Sequence, residues 1–102
     1  MDNAFNIYTL DEIKKMVLTL IRKYRAEKAI LFGSYARQEA RADSDIDLMI
    51  MGGKDFEPTD IFCVAEDLHR MSGKSVDVYE QREIDAGSVL LNSIRTEGIV
   101  IQ

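Results

Sequence analysis

One cysteine, one proline and one histidine are all that 102 residues contain of these three types. A lone Cys63 excludes an internal disulfide, and a lone His69 beside a single cysteine excludes a zinc site with cysteine and histidine spacing. Both absences fit a reducing cytoplasm. With Pro58 as the only proline, and no repeat, low-complexity tract or glycine-rich linker, the whole of 1–102 reads as one domain. No apolar run approaches the ~18 residues of a membrane span. The opening Met1 to Tyr8 lacks a basic region followed by an apolar stretch, so a soluble chain not exported by such a signal is expected. Basic charge is also scarce. Thirteen Lys and Arg against eighteen Asp and Glu leave a net charge of -5, which argues against nonspecific binding to nucleic acid or an anionic membrane.

What is present is ordinary globular material, 46% hydrophobic and 30% charged. A chain this short buries roughly 60 to 70% of its unfolded surface, enough for a modest core but not for a deep closed cavity, so a large substrate must bind at an edge. Leu10, Ile13, Val17, Leu20 and Tyr24 recur at helical spacing and predict an amphipathic helix over Leu10 to Arg25. Thr9 and Glu12 form its capping box, and Tyr8 is placed to staple onto Ile13. Lys28 to Phe32 reads as a buried strand stopped by Gly33-Ser34, with room for a short helix from Tyr35 to Gln38. Asp45 to Met51 is a second strand, apolar on both faces after its opening acids and therefore central in a sheet covered by helices, with Met49 and Met51 in the core. A helix from Thr59 to Met71 stops at Gly73, and a strand Ser75 to Tyr79 follows. Asp85 to Thr96 is the last helix, with Val89, Leu90 and Ile94 inward, before Ile99 to Ile101. The alternation predicts an α/β or α+β fold. Apolar residues around Phe5, Ile7 and Ile99 to Ile101 either seal the core or form an interface.

The chemistry is concentrated between Gly33 and Leu48 and at Asp77. Gly33 and Ser34 stand between a strand and a turn, where backbone N–H groups and a hydroxyl can approach a phosphate. Taken alone, the pair is more readily a turn with a helix cap. It is not a Walker A loop, because no Gly-Lys-Ser/Thr follows at the required spacing. Asp45 and Asp47, two apart on a strand, project to one face while Ile46 and Leu48 project to the other. Two carboxylates about 4 Å apart repel by about 4 kcal/mol at an effective dielectric near 20, so the pair must take up a cation or a proton. Mg²⁺ suits it, since it accepts few protein carboxylates and completes its shell with water and phosphate oxygens. A solvated strand end is the alternative. Asp77 lies within the apolar run Val76-Asp77-Val78, an expensive place for a lone charge. On a strand beside Asp45 to Met51 it would face the same side as the other two acids, as a further metal ligand or as the base for an attacking hydroxyl.

Gly33-Ser34, Asp45-Ile46-Asp47-Leu48 and Val76-Asp77-Val78 together resemble the nucleotidyltransferase fold of the DNA polymerase beta superfamily. The intervening Ala36-Arg37-Gln38-Glu39 is similar to the minimal nucleotidyltransferases (MNT) of bacteria and archaea. The resemblance covers most of the chain. It implies a small mixed β-sheet flanked by helices, ATP as substrate and two Mg²⁺ ions. It also implies that Gly33 and Ser34 hold the triphosphate, that Asp45 and Asp47 bind metal, and that Asp77 is the third carboxylate. Tyr35 replaces the Arg or other polar residue of many relatives, and Gln38 stands where Gly is frequent. Further implied is an antitoxin role, in which AMP is transferred to a tyrosine of a HEPN-domain ribonuclease toxin. A non-catalytic binding antitoxin and a transferase acting on a small molecule such as an aminoglycoside are the alternatives. Arg37, Glu39 and Arg41 read as surface ion pairs, Cys63 as packing, His69 as a rim residue, and the basic Lys14, Lys15, Arg22, Lys23, Arg25 and Lys28 as a solvated helix face.

Overall fold

Thr9 opens the first helix in the way the sequence predicts. Its hydroxyl accepts from the Glu12 N–H at 3.1 Å, and the Glu12 carboxylate accepts from the Thr9 N–H at 2.9 Å. Two donors that a helix start would otherwise leave unpaired are thereby satisfied. Helix α1 (Leu10–Tyr24) buries Ile13, Val17, Leu20 and Ile21, and ends where Arg25 turns left-handed. Tyr8 joins the same apolar cluster, and its hydroxyl donates to the Ser72 carbonyl. A computed structural model describes residues 6–102; the expectation for Phe5 lies outside them.

After α1 come β1 (Lys28–Phe32), β2 (Ile46–Met51), α2 (Ile61–Ser72), β3 (Val76–Glu80), α3 (Val89–Glu97) and β4 (Ile99–Ile101). The sheet order is β3-β2-β1-β4, with β1 antiparallel to both neighbours and β2 parallel to β3. The one parallel step needs a crossover, which α2 supplies. Strand alternation divides the apolar residues between two faces. Ala29, Leu31, Ile46, Leu48, Ile50 and Ile101 meet α1 and α2 on one face. Phe32 and Met49 meet Ile94 of α3 on the other. The expected mixed sheet between helices is therefore present, and Ile101 seals the core while Val100 is exposed.

Several local expectations are corrected. Strand β2 begins at Ile46, leaving Asp45 in the preceding loop. Tyr35 to Gln38 is a turn: the Gly33 carbonyl accepts from Arg37 at 3.1 Å, the Ser34 carbonyl from Glu39 at 2.9 Å, and Gln38 at φ 58° stops any helix. Helix α2 starts at Ile61, after a 3-10 turn at Pro58–Asp60. Helix α3 starts only at Val89, capped by the Ser88 hydroxyl, so Asp85 to Ser88 are not helical. Val89 is exposed rather than inward, and Cys63 is exposed rather than packed. Met51 is half-buried. Asp77 is exposed on β3, an edge strand, so of the two placements the sequence allows, burial within the apolar run or an exposed sheet edge, the second is found.

Candidate active site

The ends of three adjacent strands meet at one corner of the sheet. Strand β1 runs into it, β2 and β3 run out of it, and the register pairs Phe32 with Asp47 and Asp47 with Asp77. Gly33, next after Phe32, has φ 75°, and a β-carbon there would overlap the Asp47 carboxylate. Only glycine combines that left-handed backbone with so close an approach. Helix α3 packs over β1, leaving Asp47 half-buried and Asp77 exposed on the same face as Met49 and Tyr79.

Two neighbouring acids crowd Asp47, Asp77 across the strands and Asp45 along the chain. Burial is the main influence that pushes the Asp47 carboxyl up to about 6, followed by the charge of Asp77 and then that of Asp45. A hydrogen bond between the Asp47 and Asp77 carboxyls adds to the shift, and Arg37 opposes it. Asp45 therefore crowds Asp47 as the sequence expects, and Asp77 does so more strongly. Positions i and i+2 of a strand are separated by about 6.6 Å of rise, whereas paired strands lie about 4.8 Å apart. Asp45 is exposed in the loop before β2 and is held through its neighbours: the Ile46 N–H donates to the Ser75 carbonyl at 3.0 Å, and Ser44 closes a turn onto Arg41.

Around the acids, Ser34 is half-buried in the turn after β1. Arg37 forms ion pairs with Glu39 at 3.1 Å and Glu97 at 3.0 Å, as the surface reading expects, and its charge also reaches Asp47. Tyr35 is buried, and its hydroxyl has no hydrogen-bond partner among the described residues. Burial raises its phenol above the ordinary value. His69 is exposed and its Nδ1 lies 2.7 Å from the Lys74 carbonyl oxygen.

Lys74 is the residue that pattern reading missed. It is only 3% exposed, and its ammonium donates to the Ala42 carbonyl at 2.6 Å. A lysine in a turn between helix and strand reads as surface; only its place between the Gly73 stop and the strand carrying Asp77 hinted otherwise. Arg41 to Asp45 and Gly73 to Ser75 line a cavity of about 530 Å³ at this corner.

Among the described residues no three His, Cys, Asp or Glu side chains already converge as a metal cage. Magnesium does not need one, because it takes one or two carboxylates and completes its octahedron with water and substrate phosphates. Asp47, crowded by the charges of both Asp77 and Asp45, fits that requirement: the repulsion is relieved by a cation as well as by a proton.

Comparison with known proteins agrees with this geometry. The chain is 33% identical over 75 residues to "Putative protein adenylyltransferase MJ0435" of Methanocaldococcus jannaschii, covering 74% of this chain and 81% of that protein. A solved structure described as a "putative minimal nucleotidyltransferase" superposes with a TM-score of 0.72 at 29% identity, covering 97% of this chain and 95% of the other. An MNT antitoxin in complex with a tri-AMPylated Shewanella oneidensis HEPN toxin superposes with a TM-score of 0.69 at 20% identity, over 90% of this chain and 71% of the other, and shares the fold. Residues 14–102 match the family described as "Polymerase beta, Nucleotidyltransferase". With that span matched and the strand-end acids in place, the chain belongs to the polymerase beta nucleotidyltransferase family.

Proposed function

We propose that this protein is a Mg²⁺-dependent protein adenylylyltransferase that moves AMP from ATP to a hydroxyl of a partner protein, a HEPN-domain toxin, in the cytoplasm. The observation that carries this reading is the cross-strand Asp47–Asp77 pair set against the Gly33 turn. Gly33 and Ser34 hold the triphosphate, where an absent side chain lets it approach the backbone. Asp45 and Asp47 hold metal. Two bound Mg²⁺ ions would supply charge neutralisation and alignment of the phosphates. The acceptor oxygen forms a bond to the α-phosphorus, the bond from that phosphorus to the bridging oxygen breaks, and pyrophosphate leaves. Asp77, exposed on the edge strand, receives the proton that the acceptor hydroxyl gives up. The name of the Methanocaldococcus relative and the AMPylated toxin in the Shewanella complex support protein as the acceptor. The open corner supports it as well, since a large acceptor can reach the acids without passing through a closed pocket.

The test is transfer of label from α-labelled ATP, with Mg²⁺, to a purified HEPN-domain partner, with Asp77→Asn alongside. Label on the partner that requires Asp77 is expected. A tight complex without label would favour neutralisation by binding alone and overturn the enzymatic reading.

A further inference from the structure

Lys74 occupies a place that a lysine seldom takes. Lysines usually lay their methylenes along apolar surface and keep the ammonium in water. Here an open cavity of about 530 Å³ adjoins the residue, yet the side chain is 3% exposed and the ammonium is held at 2.6 Å by the Ala42 carbonyl. Its own backbone is fixed on both sides. The Lys74 N–H donates to the Ser72 hydroxyl at 3.1 Å, and its carbonyl lies 2.7 Å from His69 Nδ1. Among the described residues, what its ammonium holds is the loop.

That loop carries Asp45. Between Arg41 and Ser44 it is a small closed turn, with the Ser44 hydroxyl accepting from the Arg41 N–H at 2.8 Å and the Ser44 N–H donating to the Arg41 carbonyl at 3.0 Å. It is joined to the turn before β3 at two points. One is the bond from the Ile46 N–H to the Ser75 carbonyl at 3.0 Å, and the other is the bond from Lys74 to Ala42. Asp45 stands between these two ties, outside the strand and exposed. With the Lys74 tie gone, the Arg41–Ser44 turn would pivot on Ile46 and relax into the adjoining cavity, because space beside a loop permits collapse toward it. The Asp45 carboxylate would move with it.

We infer that Lys74 is a positioning residue that pins the loop of Asp45 to the turn before β3 and so sets where the Asp45 carboxylate meets a metal ion. The inference rests on the assignment of Asp45 as a ligand, and residues that orient metal ligands change affinity by about 10- to 100-fold when removed.

The experiment is Mn²⁺ binding to the whole protein by calorimetry, without nucleotide or partner, so that failure of adenylyl transfer and failure of this inference are read separately. Asp45→Asn establishes that Asp45 ligates. Lys74→Met is expected to weaken Mn²⁺ binding by at least tenfold, and Lys74→Gln, too short to reach Ala42, by a similar factor should the Met variant not fold. Lys74→Arg, which keeps a donor of sufficient reach, is expected to restore binding to within a few fold. Ser72→Ala loosens the same turn without touching the ammonium and is expected to lower the melting temperature while leaving Mn²⁺ affinity intact. Wild-type affinity in Lys74→Met or Lys74→Gln would overturn the inference. So would an equal loss in Ser72→Ala, which would reduce Lys74 to a structural role, or an Asp45→Asn variant that binds Mn²⁺ as well as wild type.

Discussion

A β-carbon at Gly33 would occupy the position of the Asp47 carboxylate, so the glycine of the phosphate-side turn and the acid of the neighbouring strand are one steric unit. The register that pairs Phe32 with Asp47 brings them together. Gly33→Ala therefore carries two costs. The left-handed backbone at φ 75° alone costs an alanine about 1 to 2 kcal/mol. The overlap with Asp47 then forces that carboxylate to shift from its place. Urea denaturation is expected to register a loss beyond the backbone cost, and label transfer from ATP is expected to vanish in protein that still folds.

Asp47→Asn is expected to stabilise the metal-free protein while abolishing transfer. The Asp47 carboxyl, ordinarily at 3.8, is raised to about 6 by burial first and by Asp77 and Asp45 after it. Between those values the folded chain holds a proton that the unfolded chain has released. The stability due to this group is therefore complete at pH below 3.8 and is lost as pH rises through 6. At pH 7 the folded protein bears the charge at a cost. At full value the shift corresponds to about 3 kcal/mol, and screening of a half-exposed carboxylate reduces this to about 1 kcal/mol. Thermal unfolding followed from pH 4 to 8 in the presence of chelator should show a downward slope through pH 6 in the wild type that is absent in the variant. Mg²⁺ with a nucleotide triphosphate should stabilise the wild type more than the variant.

Most of the frame was legible because the sequence carries local rules without conflict. Thr9 with Glu12, the spacing of Ile13, Val17 and Leu20, and the glycine stops at Gly33 and Gly73 each act within a few residues. What was not legible depends on contacts between distant segments. Val89 fits a helical apolar stripe with Leu90 and Ile94, yet it remains exposed. Asp77 sits in an apolar run that suggests burial, but the strand order places it at the sheet edge. The meeting of Asp77 with Asp47 was legible once the two strands are taken as neighbours, and the register bears it out; the burial that weighs most on Asp47 comes from packing that no spacing along the chain reveals. Lys74 is bonded to a loop thirty-two residues earlier in the chain, a relation invisible to any window of local pattern.

Ser34→Ala separates nucleotide binding from fold. The residue is half-buried in a turn whose backbone is closed by the Gly33 and Ser34 carbonyls, and those bonds survive the loss of a hydroxyl. A stability change within about 0.5 kcal/mol is expected. Loss of one hydrogen bond to a phosphate oxygen is worth about 1.5 kcal/mol, so the KM for ATP should rise about tenfold with a smaller change in kcat. A rise in KM with unaltered urea midpoint is the result that assigns the hydroxyl to the nucleotide.

Arg37→Gln probes how the turn after β1 sets the ionisation of the acid beside it. The guanidinium is tied to Glu39 and Glu97, exposed pairs of the kind that contribute little to folding, so the melting temperature should scarcely move. Its charge also favours the ionised form of Asp47, against burial and the neighbouring aspartates. Removing that charge lets the Asp47 carboxyl rise further above its ordinary value. A carboxyl-carbon NMR titration of the metal-free protein should show the Asp47 midpoint displaced to higher pH in the variant. Because the metal-binding form is the ionised one, the pH at which Mn²⁺ binding reaches half its maximum should move upward with it. An unchanged midpoint would leave Arg37 as a surface ion pair and nothing more.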